Sequence, residues 1–209
     1  MGNRISILEA SADDELDKVI KLVNNGASVN VRDKDNNTPL ILASINNNVE
    51  IVKFLINKKA DLEAKNNTGN NSLHYSAWYD NKAVVKHLLA GKANVNTPCS
   101  QGITPLIRAS WNATPHTVKF LLDYNADMNH VSNCGKTALS MAIKHNKSVV
   151  DLLVYKTPEK FKCPVCLDND IDRAFSCGHS VCHICFNELE LKKCVKCRED
   201  IKLTINLFF

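Results

Sequence analysis

A mainly α-helical solenoid followed by a small metal-held module is the fold class that this 209-residue chain predicts. Three observations carry the prediction. A pattern recurs every 33 residues over residues 1–156, eight cysteine and histidine residues follow in paired spacing after residue 162, and a proline-containing stretch separates the two blocks.

The repeat comes first. Thr38-Pro39-Leu40 recurs as Asn71-Ser72-Leu73, Thr104-Pro105-Leu106 and Thr137-Ala138-Leu139, each 33 residues after the last. Small residues keep the step at Ala43, Ser76, Ala109 and Ala142, and again at Ala27, Ala60, Ala93 and Ala126. A second apolar helix recurs as Ile51-Val52-Lys53-Phe54-Leu55, Val84-Val85-Lys86-His87-Leu88 and Thr117-Val118-Lys119-Phe120-Leu121. Period and motif resemble the ankyrin repeat, whose unit is a turn and two short antiparallel helices. Five units begin near residues 1, 34, 67, 100 and 133. Each helix pair has an apolar face that only its neighbours can cover, so stability is a sum of nearest-neighbour terms. Unit three departs at Asn71-Ser72 but keeps the family histidine, His74, and unit five is one residue short between its helices, with Val149 and Val150 early. The first and last units are the expected caps.

Lys156-Thr157-Pro158-Glu159-Lys160 ends the helical pattern, because Pro158 lacks an amide donor and biases Thr157 away from helix. Residues 157–162 read as a linker that permits limited swivelling.

Cys163-x2-Cys166-x10-Cys177-x-His179-x2-Cys182-x2-Cys185-x8-Cys194-x2-Cys197 follows within residues 163–209. A Cys-x2-Cys pair sets two thiolates on one turn at the reach of a tetrahedral Zn2+, and eight such ligands complete two closed, structural sites. The competing readings are a disulfide framework and another two-zinc module of the PHD or LIM kind. Residues 1–10 lack an apolar core of signal-peptide length, which predicts a reducing cytoplasm and disfavours disulfides; Cys99 and Cys134 read as reduced thiols. About 50 residues bury too little apolar surface to fold unaided, so metal binding and folding are one event.

The ligand order, three cysteines, a histidine and four cysteines, resembles the RING finger of ubiquitin ligases. The resemblance implies a cross-brace, with Cys163, Cys166, Cys182 and Cys185 on one zinc and Cys177, His179, Cys194 and Cys197 on the other. It implies that the module recruits a ubiquitin-conjugating enzyme carrying ubiquitin through Val165, Leu189 and Val195, the last standing where the family usually has proline. Arg198 matches the residue that bridges conjugating enzyme and ubiquitin, where a planar guanidinium serves both. The implied function is ubiquitin ligation by positioning, without a covalent ubiquitin intermediate. The rival is a scaffold or decoy that sequesters its partner without catalysis.

Residues 201, 203, 205 and 207 are apolar in alternation, and Phe208-Phe209 follow. This is the period of a strand with one buried face. The tail resembles that of the inhibitor-of-apoptosis ligases, which implies a homodimer in which Phe208 meets ubiquitin held by the other subunit. The alternative is that the strand folds back on its own module.

On the repeats, Trp78 and Trp111 stand two residues after the small core residue of their units, with Ile45 and Lys144 in the flanking places and Asn46, Tyr79, Asn112 and His145 beside them. In ankyrin domains that column lies on the concave surface. Ile45, Trp78, Tyr79, Trp111 and Asn112 are therefore candidates for binding a protein substrate, since Trp and Tyr concentrate in hot spots. The plainer alternative is that each indole packs on its own repeat.

Composition excludes more than it assigns. The net charge of +4 comes from residues 1–156, with 18 basic and 14 acidic side chains, whereas residues 157–209 have eight of each. Neither half has the basic face a phosphate backbone demands, so nucleic acid is not the expected partner. No apolar run approaches the roughly 20 residues of a membrane span. Residues 1–6 fit an N-myristoylation pattern, but Ile5, Leu8 and Ala10 equally begin the first repeat, and one acyl chain with Asp13-Asp14-Glu15 nearby gives no stable anchoring. Cys134-Gly135-Lys136-Thr137 copies the end of a P-loop, but His130 stands where its first glycine belongs. Abundant Asn, Lys and Ile suggest an AT-rich genome such as that of a large DNA virus, in which case the compartment is the host cytoplasm.

Overall fold

The computed structural model describes residues 6–155, 173–175, 180–181 and 203–206. In the first of these segments, ten α-helices run as five pairs: α1 (Ile7–Ala12) with α2 (Leu16–Asn24), α3 (Pro39–Ile45) with α4 (Val49–Asn57), α5 (Ser72–Trp78) with α6 (Lys82–Ala90), α7 (Pro105–Asn112) with α8 (Pro115–Asp123), and α9 (Ala138–His145) with α10 (Val150–Tyr155). The odd-numbered helices pack side by side in sequence order, and the even-numbered ones form a second row behind them. This is the solenoid the repeat predicts.

The recurring triplet explains itself as a helix start. Thr38, Thr104 and Thr137 are N-caps whose hydroxyls accept from the backbone N–H of Ile41, Ile107 and Ser140. Pro39 and Pro105 follow in the first turn, where a missing N–H costs nothing. Asn71, the departure in unit three, does the same work, its side-chain oxygen accepting from the His74 N–H. The leucine of each triplet then enters the core: Leu40 and Leu73 are fully buried and Leu106 almost so, each contributing about 1.5–3 kcal/mol of burial. Leu139, in the last described unit, is only half-buried. Ala43, Ser76, Ala109 and Ala142, the small residues of the repeat, are all fully buried where the inner helices meet.

Backbone geometry follows the same period. Gly26, Lys59, Lys92 and Asn125 adopt positive φ just after the outer helices, and Asn36, Gly69, Gly102 and Gly135 do so in the turns between units. At Gly102 the reason is double. Its φ is +72°, and a Cβ there would stand 2.8 Å from the backbone nitrogen of Asn133 in the next unit.

Asparagines join the units. Asn48 Nδ2 donates to the carbonyl of Ser11 at 2.8 Å, and Asn81 Nδ2 donates to that of Ser44 at 2.8 Å. Asn146 Nδ2 donates to the carbonyl of Ala113 at 2.6 Å. Each satisfies a helix-end carbonyl of the preceding inner helix that has no partner within its own helix. In unit four, threonines replace this device: Thr114 and Thr117 donate their hydroxyls to Asp80 Oδ1. The shortened unit five bridges its helices with a 3-10 turn, Lys147–Val149.

At the N-terminus, Ser6 and Glu9 form a capping box, so the myristoylation-like stretch overlaps the start of α1. Its buried residues are Ile7, Ala10 and Ser11, and Leu8 is half-buried.

Among the described residues of the C-terminal part are three short strands: β1 (Arg173–Phe175), β2 (Ser180–Val181) and β3 (Leu203–Asn206). They form an antiparallel sheet in the order β2-β1-β3. The tail is therefore a strand, as its alternation predicts. Its partner is β1 of the same chain, with Arg173 opposite Asn206 and Ala174 opposite Ile205, which is the fold-back arrangement. Among the described residues no helix is long and apolar enough to cross a membrane.

Candidate protein-binding face

Trp78 ends α5 and Trp111 lies near the end of α7, so the stacking of inner helices brings their side chains together. The ring centroids are 5.2 Å apart with planes at 69°, an edge-to-face pair. His145, at the end of α9, stacks on Trp111 at 4.7 Å and 18°. The three rings form a ladder across units three, four and five. Two cations complete it: the Arg108 guanidinium lies 5.1 Å from the Trp78 ring centroid and the Lys136 ammonium 5.3 Å from that of Trp111. Both cations gain from the negative face of the indole.

Trp78 and Trp111 are half-buried, so each packs on the repeats and also keeps an accessible surface. Tyr79 is 50% exposed beside them, and Ile45 is half-buried at the end of α3. Asn112 is exposed, but its Nδ2 donates to the Trp78 carbonyl at 3.4 Å, which ties α7 to α5. Asn46 makes the corresponding bond to Ala12 at 3.1 Å. The spacing of 33 placed Trp78 and Trp111 correctly in one column. Arg108 and Lys136 were missed, although Arg108 follows Tyr75 at the repeat distance.

A cleft of about 420 Å³ opens beside Trp78, lined by Tyr75, Tyr79 and Arg108 from the inner helices and by Thr68, Ser100 and Gln101 from the turns. Turns and inner helices thus share one face, the one expected to be concave. The floor includes His74, which is 1% exposed. Its Nε2 is 3.0 Å from the carbonyl of Ile103 and donates to it, which leaves Nδ1 to accept from the Asn71 N–H at 3.3 Å. Burial depresses its pKa to about 4, and the charges of Arg108 and Lys65 push the same way. The ring is a neutral strut between units three and four. His145 is also held below the ordinary imidazole value, by desolvation first and then by Lys144 and Lys136.

Cys99 and Cys134 are free thiols, buried and exposed respectively. A hydrogen bond with Ser132 and the nearby Lys136 charge lower the Cys134 pKa. The P-loop-like stretch has structural employment: Thr137 caps α9, and Lys136 covers Trp111.

The expected zinc ligands Cys163, Cys166, Cys177, His179, Cys182, Cys185, Cys194 and Cys197 lie outside the described residues, as do Val165, Leu189, Val195, Arg198 and Phe208. Of the described residues in this part, β1 and β2 pair antiparallel, with Arg173 opposite Val181 and Ala174 opposite Ser180. As a donor set, seven thiols and one imidazole suit zinc, with no carboxylate to favour a harder cation. No cluster able to hold a metal occurs among the described residues.

Comparison with known proteins agrees with both halves. The ankyrin-repeat family profile matches residues 7–99 and 81–163. A second profile, the zinc finger of C3HC4 type or RING finger, matches residues 159–204. Curated relatives match over a short segment. The E3 ubiquitin-protein ligase cblA of Dictyostelium discoideum is 48% identical over 48 residues, 22% of this chain and 7% of that protein. The E3 ubiquitin-protein ligase RGLG3 of Arabidopsis thaliana is 44% identical over 46 residues, 22% of this chain and 12% of that protein. The E3 ubiquitin-protein ligase MIB2 of Gallus gallus is 38% identical over 50 residues, 24% of this chain and 5% of that protein. The chain therefore spans only a small part of the curated relatives it matches.

Proposed function

Since this chain belongs to the ankyrin-repeat family and carries a RING-type zinc finger, we propose that it is a ubiquitin ligase whose repeats hold a protein substrate while the RING presents a ubiquitin-loaded conjugating enzyme. The observation that carries the proposal is the RING match at residues 159–204, together with likeness to segments of several E3 ubiquitin-protein ligases.

Zinc bound in this module supplies structure: it crosslinks a segment too small to fold on apolar burial alone. Two ions are proposed, one held by Cys163, Cys166, Cys182 and Cys185 and one by Cys177, His179, Cys194 and Cys197. Val165, Leu189 and Val195 then form the apolar surface for the conjugating enzyme. Arg198 hydrogen-bonds enzyme and ubiquitin together, restricting the thioester to a reactive pose; the gain is one of orientation, so no nucleophile of this chain is required. Trp78, Trp111, Ile45 and Tyr79 provide the substrate face, with Asn112 bracing it. Free thiols at Cys99 and Cys134 suit a reducing compartment, which supports a cytoplasmic site of action.

The tail adds a dimer to the proposal. Among the described residues β3 is an edge strand of the sheet β2-β1-β3, and an unpaired edge is a template for a second copy. Pairing there would set Phe208 of one subunit against ubiquitin held by the other.

A discharge assay tests the central role of Arg198. With saturating conjugating enzyme, Arg198→Ala slows ubiquitin discharge, leaves zinc content unchanged and affects enzyme binding less. Unchanged discharge removes the bridging role.

A further inference from the structure

We infer that the Trp78–Trp111 face receives an acidic, extended segment of its protein partner, with one carboxylate at Arg108 and another at Lys136. This rests on the reading of the repeats as the substrate-holding part of a ligase and adds the chemical class of what they hold.

Charge is the first ground. From residue 67 to residue 145 the only carboxylates are Asp80, Asp123 and Asp127. Asp80 already accepts from Thr114 and Thr117 between units three and four. Asp123 ends α8 in the second row, and Asp127 accepts from the Asn129 N–H within its own turn. None of the three lines the cleft. The charges seen to act on the ladder rings are those of Arg108, Lys136 and Lys144, all positive. Among the described residues, Lys18, Lys53 and Lys82 form ion pairs, and neither Arg108 nor Lys136 does.

Positioning is the second ground. Both cations are half-buried and held over an indole instead of extending into water. A cation fixed this way loses less side-chain freedom when a carboxylate arrives, and the resulting charge-assisted hydrogen bond is about twice as strong as a neutral one. The indoles therefore act partly as mounts. Their coverage also argues against a single-stranded nucleic acid, which needs open ring faces for base stacking: Arg108 covers Trp78, and His145 and Lys136 cover Trp111.

Spacing gives the motif. Arg108 stands over Trp78 of unit three and Lys136 over Trp111 of unit four, and stacked helices lie about 8–10 Å apart. An extended peptide rises roughly 3.3 Å per residue, so acids about three residues apart meet both cations. Tyr79, exposed at the margin of the cleft, offers its ring to an apolar residue of the same segment.

The test is selection of a random peptide library displayed on phage against the full zinc-loaded chain, followed by fluorescence anisotropy on the enriched peptides. Enriched sequences carry Asp or Glu at that spacing. Arg108→Glu and Lys136→Glu, checked for native far-UV signal, each weaken them about tenfold or more, whereas Lys58→Glu, which alters a cation over Phe54 instead, does not. Arg108→Lys keeps part of the affinity, and Arg108→Gln serves if the charge reversal fails to fold. Enrichment of neutral or basic sequences overturns the inference, as does equal binding by the reversal variants or tighter binding of a single-stranded oligonucleotide. The assay contains no conjugating enzyme. A chain that binds acidic peptides but makes no ubiquitin chains sinks the ligase reading alone, and an active ligase without the acidic preference sinks this inference alone.

Discussion

Trp78 meets Trp111 edge to face across the boundary between units three and four, with ring centroids 5.2 Å apart. The pair belongs to the packing between units and also to the accessible face proposed to hold a partner. An edge-to-face pair contributes about 0.5–1.5 kcal/mol beyond area burial, so a double-mutant cycle between Trp78→Ala and Trp111→Ala in urea denaturation gives a coupling of that order. A coupling of zero would mean that the rings only share space. Both substitutions also weaken capture of a bound protein by about 2 kcal/mol or more in a pull-down titration, with substrate-free chain synthesis unaffected.

Asn81→Ala removes the donor to the Ser44 carbonyl from a side chain that is 9% exposed. A buried carbonyl left unpaired costs about 1–3 kcal/mol, so the urea midpoint falls by a corresponding amount. Asn96→Ala removes exposed bonds to the Asn125 carbonyl and the Asp127 N–H, which water can replace, and so changes it less. Equal effects would reduce Asn81 to an ordinary turn residue.

Gly102→Ala and Gly135→Ala separate strain from collision. Both glycines have positive φ, which costs a side chain roughly 1–2 kcal/mol. Only Gly102 also faces Asn133, whereas a Cβ at Gly135 meets nothing within 4 Å. Gly102→Ala is therefore the more destabilising of the two by thermal melt. The reverse order would show that backbone strain alone governs these turns.

His74 makes the repeats sensitive to acid. Its folded pKa, about 4, lies below the ordinary 6.5, so the unfolded chain binds the proton more readily. The stability that neutral His74 contributes is complete above pH 6.5 and is lost as pH falls from there to about 4, on the order of 2 kcal/mol by pH 5. Urea midpoints of the wild type drop more steeply over this window than those of His74→Leu. Parallel slopes would show that another group titrates there.

Much of this was legible because ankyrin units repeat their chemistry along with their shape. Thr38-Pro39-Leu40 announces an N-cap, a first-turn proline and a core leucine, and the period then locates the other starts. The column holding Trp78 and Trp111 came from the same arithmetic. What stayed hidden depends on contacts between units. Asn48, Asn81 and Asn146 look like loop residues until the neighbouring helix end is in place. The left-handed positions 59, 92 and 125 are Lys, Lys and Asn, so residue type gives no hint of their shared geometry. Asn112 read as a surface contact, and its bond to the Trp78 carbonyl makes it a brace as well. The tail showed its strand period but not its partner, because alternation fixes which face is buried and says nothing about which edge is paired.

Zinc ligation and repeat stacking are separate sources of stability. Cys166→Ser or His179→Ala unfolds the RING module and spares the repeats, which couple only to their neighbours. Zinc content falls while most of the helical far-UV signal remains. Two equivalents of zinc retained by the Cys166 variant would refute the ligand assignment.

Whether the chain is a ligase is decided most directly by ubiquitin-chain synthesis with the full zinc-loaded protein and a panel of loaded conjugating enzymes. Chains form with at least one enzyme and vanish with Cys166→Ser, while Trp78→Ala and Trp111→Ala leave substrate-free synthesis intact. A folded protein with its full complement of zinc that makes no chains with any enzyme of the panel would contradict ligase function and leave a scaffold that only holds its partner.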